Sequence, residues 1–135
     1  MSNKARELLR RERMEATVSE LIDRFLITKR TENCSPRTID WYRQMLGRFA
    51  RFVGENTPMS SLTLDDARRF VADLQSQTQR LVNHRNAHVK EGGLSPYTIS
   101  CYVRPLKTFS RWLVDEGVFR ADPFLDFIQI SYHAA

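Results

Sequence analysis

Apolar residues recur along this 135-residue chain in steps of three and four, which is the spacing of one face of an α-helix. Four segments of this kind predict helices over about residues 17–30, 36–53, 64–78 and 96–116. No segment of any length alternates apolar and polar residues as a half-buried strand does. The pattern therefore predicts an all-α fold built on four main helices, with a short extra helix as an option at each end.

The second and fourth predicted helices begin with the same motif, 60 residues apart. Both copies read S-P-x-T-I-x-x-Y-x-x-x-L-x-x-F-x-R, from Ser35 to Arg51 and from Ser95 to Arg111. A serine hydroxyl accepts a hydrogen bond from an unpaired N–H at a helix start, and proline fits the first helical position. The motif predicts two similar helices whose apolar stripes face the core, while the positions between those stripes are free to differ.

Further residues mark where the helices begin and end. Thr17 and Glu20 have the spacing of a capping box, and Thr63 precedes two acidic residues in a first turn. Gly54 and Gly117 follow the second and fourth helices, where glycine commonly ends a helix. Pro105 lies inside the fourth helix, where we expect it to kink the axis and to move Arg104 and Lys107.

The length predicts one domain with additional segments at its ends. Residues 1–16 are interpreted as a flexible basic arm, with a short helix as the alternative, and residues 17–128 as the helical domain. Residues 129–135 form a C-terminal tail, and the apolar residues from Phe124 to Ile130 suggest a final short helix before it. Residues 79–93 are polar and end in a glycine-rich hinge.

The composition favours an anionic partner. The net charge is +5, and residues 34–53 carry four arginines against one aspartate, a net charge of +3. The chain has no run of 18 apolar residues that would span a membrane, and its charged start does not resemble a secretory signal. Its two cysteines have neither metal-ligand nor disulfide spacing, so we expect reduced thiols in a cytoplasmic protein.

Two interpretations of the basic helix 36–53 remain open from these residues. One is a solvated basic face, and the other is a surface for DNA. The first turns of helices 36–53 and 96–116 carry small, polar or aromatic residues off the apolar stripe, which suit base edges, sugars and phosphates. A helix N-terminus also presents free N–H groups to a phosphate.

The sequence resembles the core-binding domain of tyrosine recombinases, the phage-type integrases. The resemblance rests on the doubled S-P-x-T-I motif, on L-x-x-F-x-R-W-L-V-D-E-G at 106–117 and on A-D-P at 121–123, and it extends over about residues 17–128. It implies a SAM-like four-helix orthogonal bundle that forms half of a C-shaped clamp on a recombination half-site. It also implies a mobile element of bacterial, archaeal or phage origin.

The resemblance further implies which residues contact DNA. In this family the helices that correspond to 36–53 and 96–116 lie against the major groove, with many contacts from their first turns. Carried over by position, the implied DNA-binding residues are Ser35, Arg37, Thr38, Trp41, Tyr97, Thr98, Ser100 and Cys101, with Arg43, Lys90, Arg104 and Lys107 expected chiefly on phosphates. Compared with the family, residues 79–93 form a long link, and Pro105 replaces a helix former.

The resemblance implies double-stranded DNA and other recombinase subunits as partners, in a tetramer assembled on DNA by the full-length protein. We expect this chain alone to be monomeric and not catalytic, because the family's tyrosine nucleophile lies in a separate domain that would follow residue 128. We therefore interpret the chain as a fragment or a truncated copy. No His-x-x-Arg box is present.

Other chemistry is not indicated by the residues. His84 and His88 have helical spacing but lack a third metal ligand, so we expect no metal and no cofactor. The alternative function is a helical protein-interaction bundle whose basic face meets an acidic partner. An exposed apolar patch around Phe124, Phe127 and Ile130 would favour that alternative.

Overall fold

Five α-helices and one short 3-10 helix form the described part of the protein in a computed structural model, which comprises residues 2–76 and 95–120. The helices are α1 (Asn3–Glu15), α2 (Val18–Thr31), α3 (Pro36–Val53), α4 (Leu64–Gln75) and α5 (Pro96–Asp115), and the 3-10 helix is Met59–Ser61. Within these residues there is no strand, which confirms the predicted all-α fold. The predicted hinge at 79–93 and the final helix lie outside the described residues.

Both copies of the repeated motif form the same helix start. The hydroxyl of Ser35 accepts the N–H of Thr38, and that of Ser95 accepts the N–H of Thr98, each at 3.1 Å. The backbone angles of the two serines agree to within 1°. The helix starts that the motif predicted at 35 and 95 are confirmed.

The other predicted helix ends are also present. Thr17 and Glu20 form a reciprocal capping box at the start of α2, as predicted. Gly117 ends α5 with a φ of +78°, a conformation that glycine adopts without strain. The N–H of Val118 then bonds to the carbonyl of Leu113 at 2.9 Å, which satisfies one of the last carbonyls of the helix.

The centre of the core is an aromatic cluster around Phe25 of α2. Its side chain is fully buried, and its ring meets those of Tyr42 at 5.2 Å, Phe109 at 5.5 Å and Trp112 at 5.6 Å in edge-on arrangements. Such arrangements place the positive edge of one ring on the negative face of another. Phe25 therefore joins α2 to both repeated helices.

A second aromatic cluster joins α4 to the same two helices. Phe70 of α4 is buried and lies 5.3 Å from the ring of Phe49 and 6.1 Å from that of Tyr102. The apolar stripes predicted from the 3-4 spacing are therefore the core faces of α3, α4 and α5.

Pro105 does not interrupt α5, which is helical from Pro96 to Asp115. The proline ring is buried in the core rather than exposed at a break in the helix. A proline inside a helix leaves one carbonyl of the preceding turn without its backbone donor. Tertiary packing therefore holds this helix together where local preference is weakest.

The N-terminal segment, predicted to be an arm or a short helix, forms helix α1 against the C-terminal end of α5. Arg10 donates from Nε to the carbonyl of Gly117 at 3.0 Å, and Arg13 donates to the carbonyl of Glu116. Glu7 bridges Arg10 at 2.7 Å and Arg120 at 2.9 Å. These arginines supply donors where a helix end leaves its carbonyls unpaired. The domain boundaries at 16 and 128 stay predictions.

Glu7 should titrate below its usual range because of this contact. The hydrogen bond from Arg120 lowers the pKa of the Glu7 carboxyl, and the positive charges of Arg120, Arg10 and Arg11 act in the same direction. A folded-state pKa below the unfolded one adds stability above the unfolded pKa, and this stability is lost as pH falls through the folded pKa. We expect Arg120→Gln to raise the pKa of Glu7 in an NMR titration of its carboxyl. An unchanged pKa would mean that Arg120 does not hold α1.

Gly47 inside α3 and Gly54 directly after it should respond in opposite directions to replacement by alanine. Gly47 lies in the helix interior, where an added Cβ meets only the flexible end of Arg51 at 3.6 Å, so Gly47→Ala should stabilise the fold by about 0.5–1 kcal/mol. Gly54 has a φ of +100°, and an added Cβ would lie 2.8 Å from the hydroxyl oxygen of Thr57. Gly54→Ala should therefore destabilise by about 1–2 kcal/mol. Urea unfolding of both variants checks the pair, and a shared sign would contradict it.

Candidate nucleic-acid interface

The two repeated helices carry matching rows of side chains on the face of each helix that lies nearly opposite its core stripe. The positions in each row are separated by four, three, four and three residues, and the rows alternate between exposed and half-buried side chains in the same order. Neither row contains an acidic residue. The α3 row is Arg37, Trp41, Gln44, Arg48 and Arg51, and the α5 row is Tyr97, Cys101, Arg104, Thr108 and Arg111.

The two helices cross with their contacts in opposite order. A guanidinium nitrogen of Arg48, late in α3, donates to the Tyr102 hydroxyl, early in α5, at 3.0 Å. Conversely Tyr42, early in α3, and Phe109, late in α5, both meet the ring of Phe25. The two helices therefore meet with the beginning of one near the end of the other.

The first turns of α3 and α5 are not brought together. Because the helices run in opposite senses, Arg37 and Tyr97 lie toward opposite ends of the pair. With a rise of 1.5 Å per residue, the two first turns are separated by roughly 20 Å. The eight first-turn residues implied by the family resemblance therefore form two groups rather than one continuous site.

Each first turn keeps few free backbone donors. Pro36 has no N–H, and the N–H groups of Thr38 and Ile39 are bonded to the side chain and the carbonyl of Ser35. In the first turn of α3, the N–H of Arg37 therefore remains without an acceptor among the described residues. The same bonds at Ser95 leave the N–H of Tyr97 in the equivalent position.

On α3 the implied DNA-binding side chains differ in their exposure and in their contacts with neighbouring residues. Arg37 and Ser35 are exposed, whereas Trp41 is half-buried, with its ring 5.2 Å from that of Tyr42. Arg43 is exposed but lies beside the α3 row rather than in it, and it pairs with Asp40 at 2.5 Å. An exposed ion pair of this kind contributes little to stability, so the Arg43 side chain stays available to another partner.

On α5 the first turn is less basic. Tyr97 is 72% exposed, the highest value among the large apolar or aromatic side chains of residues 2–76 and 95–120. The Ser100 hydroxyl is occupied locally, because it donates to the Tyr97 carbonyl at 2.7 Å. Arg104 is exposed, and one guanidinium nitrogen lies 3.7 Å from the sulfur of Cys101. Lys107 is half-buried and lies off the α5 row, and Lys90 lies outside the described residues.

The sequence-based set of site residues omitted half of the two rows. Gln44, Arg48 and Arg51 continue the α3 row, and Thr108 and Arg111 continue the α5 row. The signal was present, because the same 4-3-4-3 spacing continues beyond the first turns and both copies of the motif end in arginine. The sequence-based set followed the helix starts and a few further basic residues, and so it did not include these five positions.

Arg48 also holds the two helices together. Its guanidinium carbon lies 5.2 Å from the centroid of the Tyr102 ring, in addition to its hydrogen bond to the tyrosine hydroxyl. A cation beside an aromatic face is attracted by the ring's negative face. Tyr102 of α5 therefore fixes the orientation of Arg48 in the α3 row.

Removing the Tyr102 hydroxyl should cost stability, whereas removing that of Tyr42 should not. Tyr102→Phe keeps the ring but loses the acceptor for Arg48, so we expect a loss of about 0.5–1.5 kcal/mol. Tyr42→Phe is the matched control at the equivalent repeat position, where the ring contact with Phe25 is retained. Urea denaturation of both variants measures the difference, and equal losses would mean that the Arg48 bond adds nothing.

Other kinds of site are not found in the part of the chain that the structure describes. Residues 2–76 and 95–120 contain no group of three or more potential metal ligands, and Cys34 and Cys101 are free thiols. No helix among them is both long enough and apolar enough to cross a membrane. His84 and His88 lie outside these ranges.

A comparison with known protein families shows which domain this chain matches in sequence. The sequence pattern of the N-terminal SAM-like domain of phage integrases matches residues 21–90, just over half of the chain. The chain belongs to this family. The match includes most of α2, all of α3 and α4, and the first copy of the repeated motif.

Membership of the family confirms the resemblance and the SAM-like fold. It identifies the chain as a domain of the tyrosine recombinase type, and as the N-terminal rather than the catalytic part of a phage integrase. No curated protein matches the chain significantly, and no solved structure does. The roles of individual residues therefore have to be argued from the geometry of the rows.

Proposed function

We propose that this domain is the DNA-binding, core-binding domain of a site-specific tyrosine recombinase, which grips one face of a recombination half-site. One observation carries the proposal: two helices in contact with each other carry equivalent rows of side chains without acidic residues. Such rows suit DNA because its two phosphate backbones flank each groove. The family membership supports the same function.

The spacing of the first turns suits the major groove. The groove is about 12 Å wide, so two first turns about 20 Å apart reach the phosphates on its opposite sides. There the N–H groups of Arg37 and Tyr97 and the positive ends of the helix dipoles meet negative charge. The middle of each row then lies over the groove itself.

The two rows divide the contacts by chemistry. The α3 row holds three arginines, which bind phosphates and the acceptor edge of guanine. The α5 row holds an exposed tyrosine, a threonine and two arginines, a mixture that adds contacts to sugars and to the methyl group of thymine. In this proposal the α3 row supplies most of the affinity for DNA, and the α5 row contributes to the preference for a DNA sequence.

The strand cleavage and rejoining belong, in this proposal, to a separate catalytic domain of the parent recombinase. Other recombinase subunits join on DNA, where the full-length protein acts as a tetramer, and the domain alone is a monomer. A domain that forms half of a clamp binds more weakly by itself, because it lacks the effective concentration that the linked second domain supplies.

A titration against labelled duplex DNA at two salt concentrations tests the proposal. We expect binding whose logarithm falls linearly with the logarithm of salt concentration, with each phosphate contact adding about 0.9 to the slope. Polyglutamate of equal charge is the control for a basic face that meets an acidic protein. Tighter binding to polyglutamate than to the duplex, or no binding to the duplex at low salt, would overturn the proposal in favour of an interaction bundle.

A further inference from the structure

One contact joins the α3 row to a residue of α5 that lies outside both rows. The hydroxyl of Tyr102 accepts a hydrogen bond from a guanidinium nitrogen of Arg48 at 3.0 Å, and the guanidinium carbon lies 5.2 Å from the centroid of the Tyr102 ring. Tyr102 is half-buried and packs against the core, whereas Arg48 is the fourth residue of the α3 row. A side chain that packs against the core from one helix therefore contacts the row of the other.

The repeat indicates that this contact is not required to build the fold. Tyr42 is the tyrosine of the first motif copy, and it packs against the core with its ring on that of Phe25. The residue of α5 that corresponds to Arg48 is Thr108, whose hydroxyl donates to the carbonyl of Arg104 at 3.1 Å. The motif tyrosine thus packs against the core in both copies, whereas the position that supplies an arginine partner in one copy holds a threonine in the other.

Arg48 differs from the other two arginines of its row because neighbouring groups already orient it. Arg37 and Arg51 are exposed at the two ends of the row, whereas Arg48 is half-buried, so that part of its side chain remains accessible. The bond to the Tyr102 hydroxyl and the contact with the ring restrict the rotamers of a long side chain. A side chain restricted in this way loses less conformational entropy when it binds a ligand.

The chemistry of the two kinds of DNA contact indicates what such an arginine binds. A phosphate is bound by the point charge of a lysine as well as by an arginine. The O6 and N7 atoms of guanine lie in one plane and accept two parallel N–H groups, which an arginine supplies only in a set orientation. Orienting the guanidinium plane in advance therefore favours guanine over phosphate as the partner of Arg48.

We propose that Tyr102 is a positioning residue, which orients Arg48 toward a guanine in the major groove of the bound DNA. The inference rests on the proposed DNA-binding function and adds to it a base that the α3 row selects. Arg37 and Arg51 bind phosphates in this proposal, because both are exposed at the ends of the row. Tyr102 does not touch the DNA and acts through Arg48.

Guanine analogues test the proposal on the full chain. A duplex that the parent chain prefers is selected from a pool with a randomised segment, and each guanine is then replaced in turn by 7-deazaguanine, which lacks the N7 acceptor. At one guanine the replacement should weaken parent binding about tenfold, through the loss of one charge-assisted hydrogen bond. The readout is the ratio of the affinities for the two duplexes, measured by fluorescence anisotropy.

Three variants separate positioning from a general effect on the fold. Arg48→Lys keeps the charge but not the two parallel donors, so its ratio should fall to about one. Tyr102→Phe keeps the ring but loses the hydroxyl that accepts Arg48, so its ratio should fall to about three. Tyr42→Phe is the matched control at the other motif tyrosine and should keep the parent ratio. The salt slope should equal that of the parent in all three, because none removes a charge.

A merely structural role of Tyr102 would give a different result, because partial unfolding weakens binding to both duplexes equally and leaves their ratio unchanged. A parent-like ratio in Arg48→Lys or in Tyr102→Phe would therefore overturn the inference while salt-dependent DNA binding stands. The same holds if the parent responds to 7-deazaguanine at no position. Absence of salt-dependent duplex binding by the parent would instead overturn the proposed function, and the inference with it.

Discussion

The double variant Arg37→Ala/Arg51→Ala should bind duplex DNA about 100-fold more weakly than the parent domain, if each arginine contributes about 1.5 kcal/mol through a charge-assisted hydrogen bond. The two residues lie at opposite ends of the α3 row, and both side chains are exposed. Loss of two phosphate contacts should also reduce the salt slope by about 1.8. Fluorescence anisotropy of a labelled duplex at several salt concentrations measures both quantities.

The matched control is Arg68→Ala/Arg69→Ala on α4. It removes the same two charges from exposed helix positions outside the rows, and Arg69 already pairs with Asp65 at 2.8 Å. We expect the control to weaken binding only by its long-range charge effect and to leave the salt slope nearly unchanged. If both double variants weaken binding equally, net charge rather than the α3 row determines binding, and the proposed interface is wrong.

The variant Phe25→Ala should destabilise the domain by about 3–5 kcal/mol, the largest effect that we expect from a single change. Phe25 is fully buried and meets rings from α3 and α5, so its loss leaves a cavity between three helices. Small domains are stable by about 5–15 kcal/mol, so this change removes a large part of the total. Urea unfolding followed by circular dichroism gives the free energy of unfolding.

Phe52→Ala is the control for this prediction. Phe52 is 41% exposed, and its described ring contact is one neighbour, Phe70, at 5.6 Å. We expect it to cost less than about 1 kcal/mol, because its removal leaves no enclosed cavity. A loss at Phe25 that is no larger than the loss at Phe52 would show that the aromatic cluster does not hold the three helices together.

The sequence predicted the helices well because their signals are local. Apolar spacing, the capping serines, the Thr17 capping box and Gly117 each act within about one turn of the chain. These signals were sufficient for the bounds of α2, α3 and α5 to within one or two residues. The ambiguous N-terminal segment was different, because α1 depends on contacts between Arg10 and Arg13 and carbonyls more than 100 residues away.

The candidate site was predicted only in part. The sequence indicated the first turns of α3 and α5 as a pair, but it could not show that these turns lie at opposite ends of two crossed helices. It also counted Arg48 only as charge, whereas the structure shows it bonded to Tyr102 on the other repeat. Both facts depend on how the helices pack, which no local signal encodes.

The sequence by itself determined the all-α class, the helix starts and the core stripes, because helix capping and apolar periodicity act between neighbouring residues. The tertiary structure alone decided the order in which α3 and α5 meet, and with it the separation of their first turns. It also decided that Pro105 is accommodated in a continuous helix, because burial of the whole stripe outweighs the loss of one backbone bond.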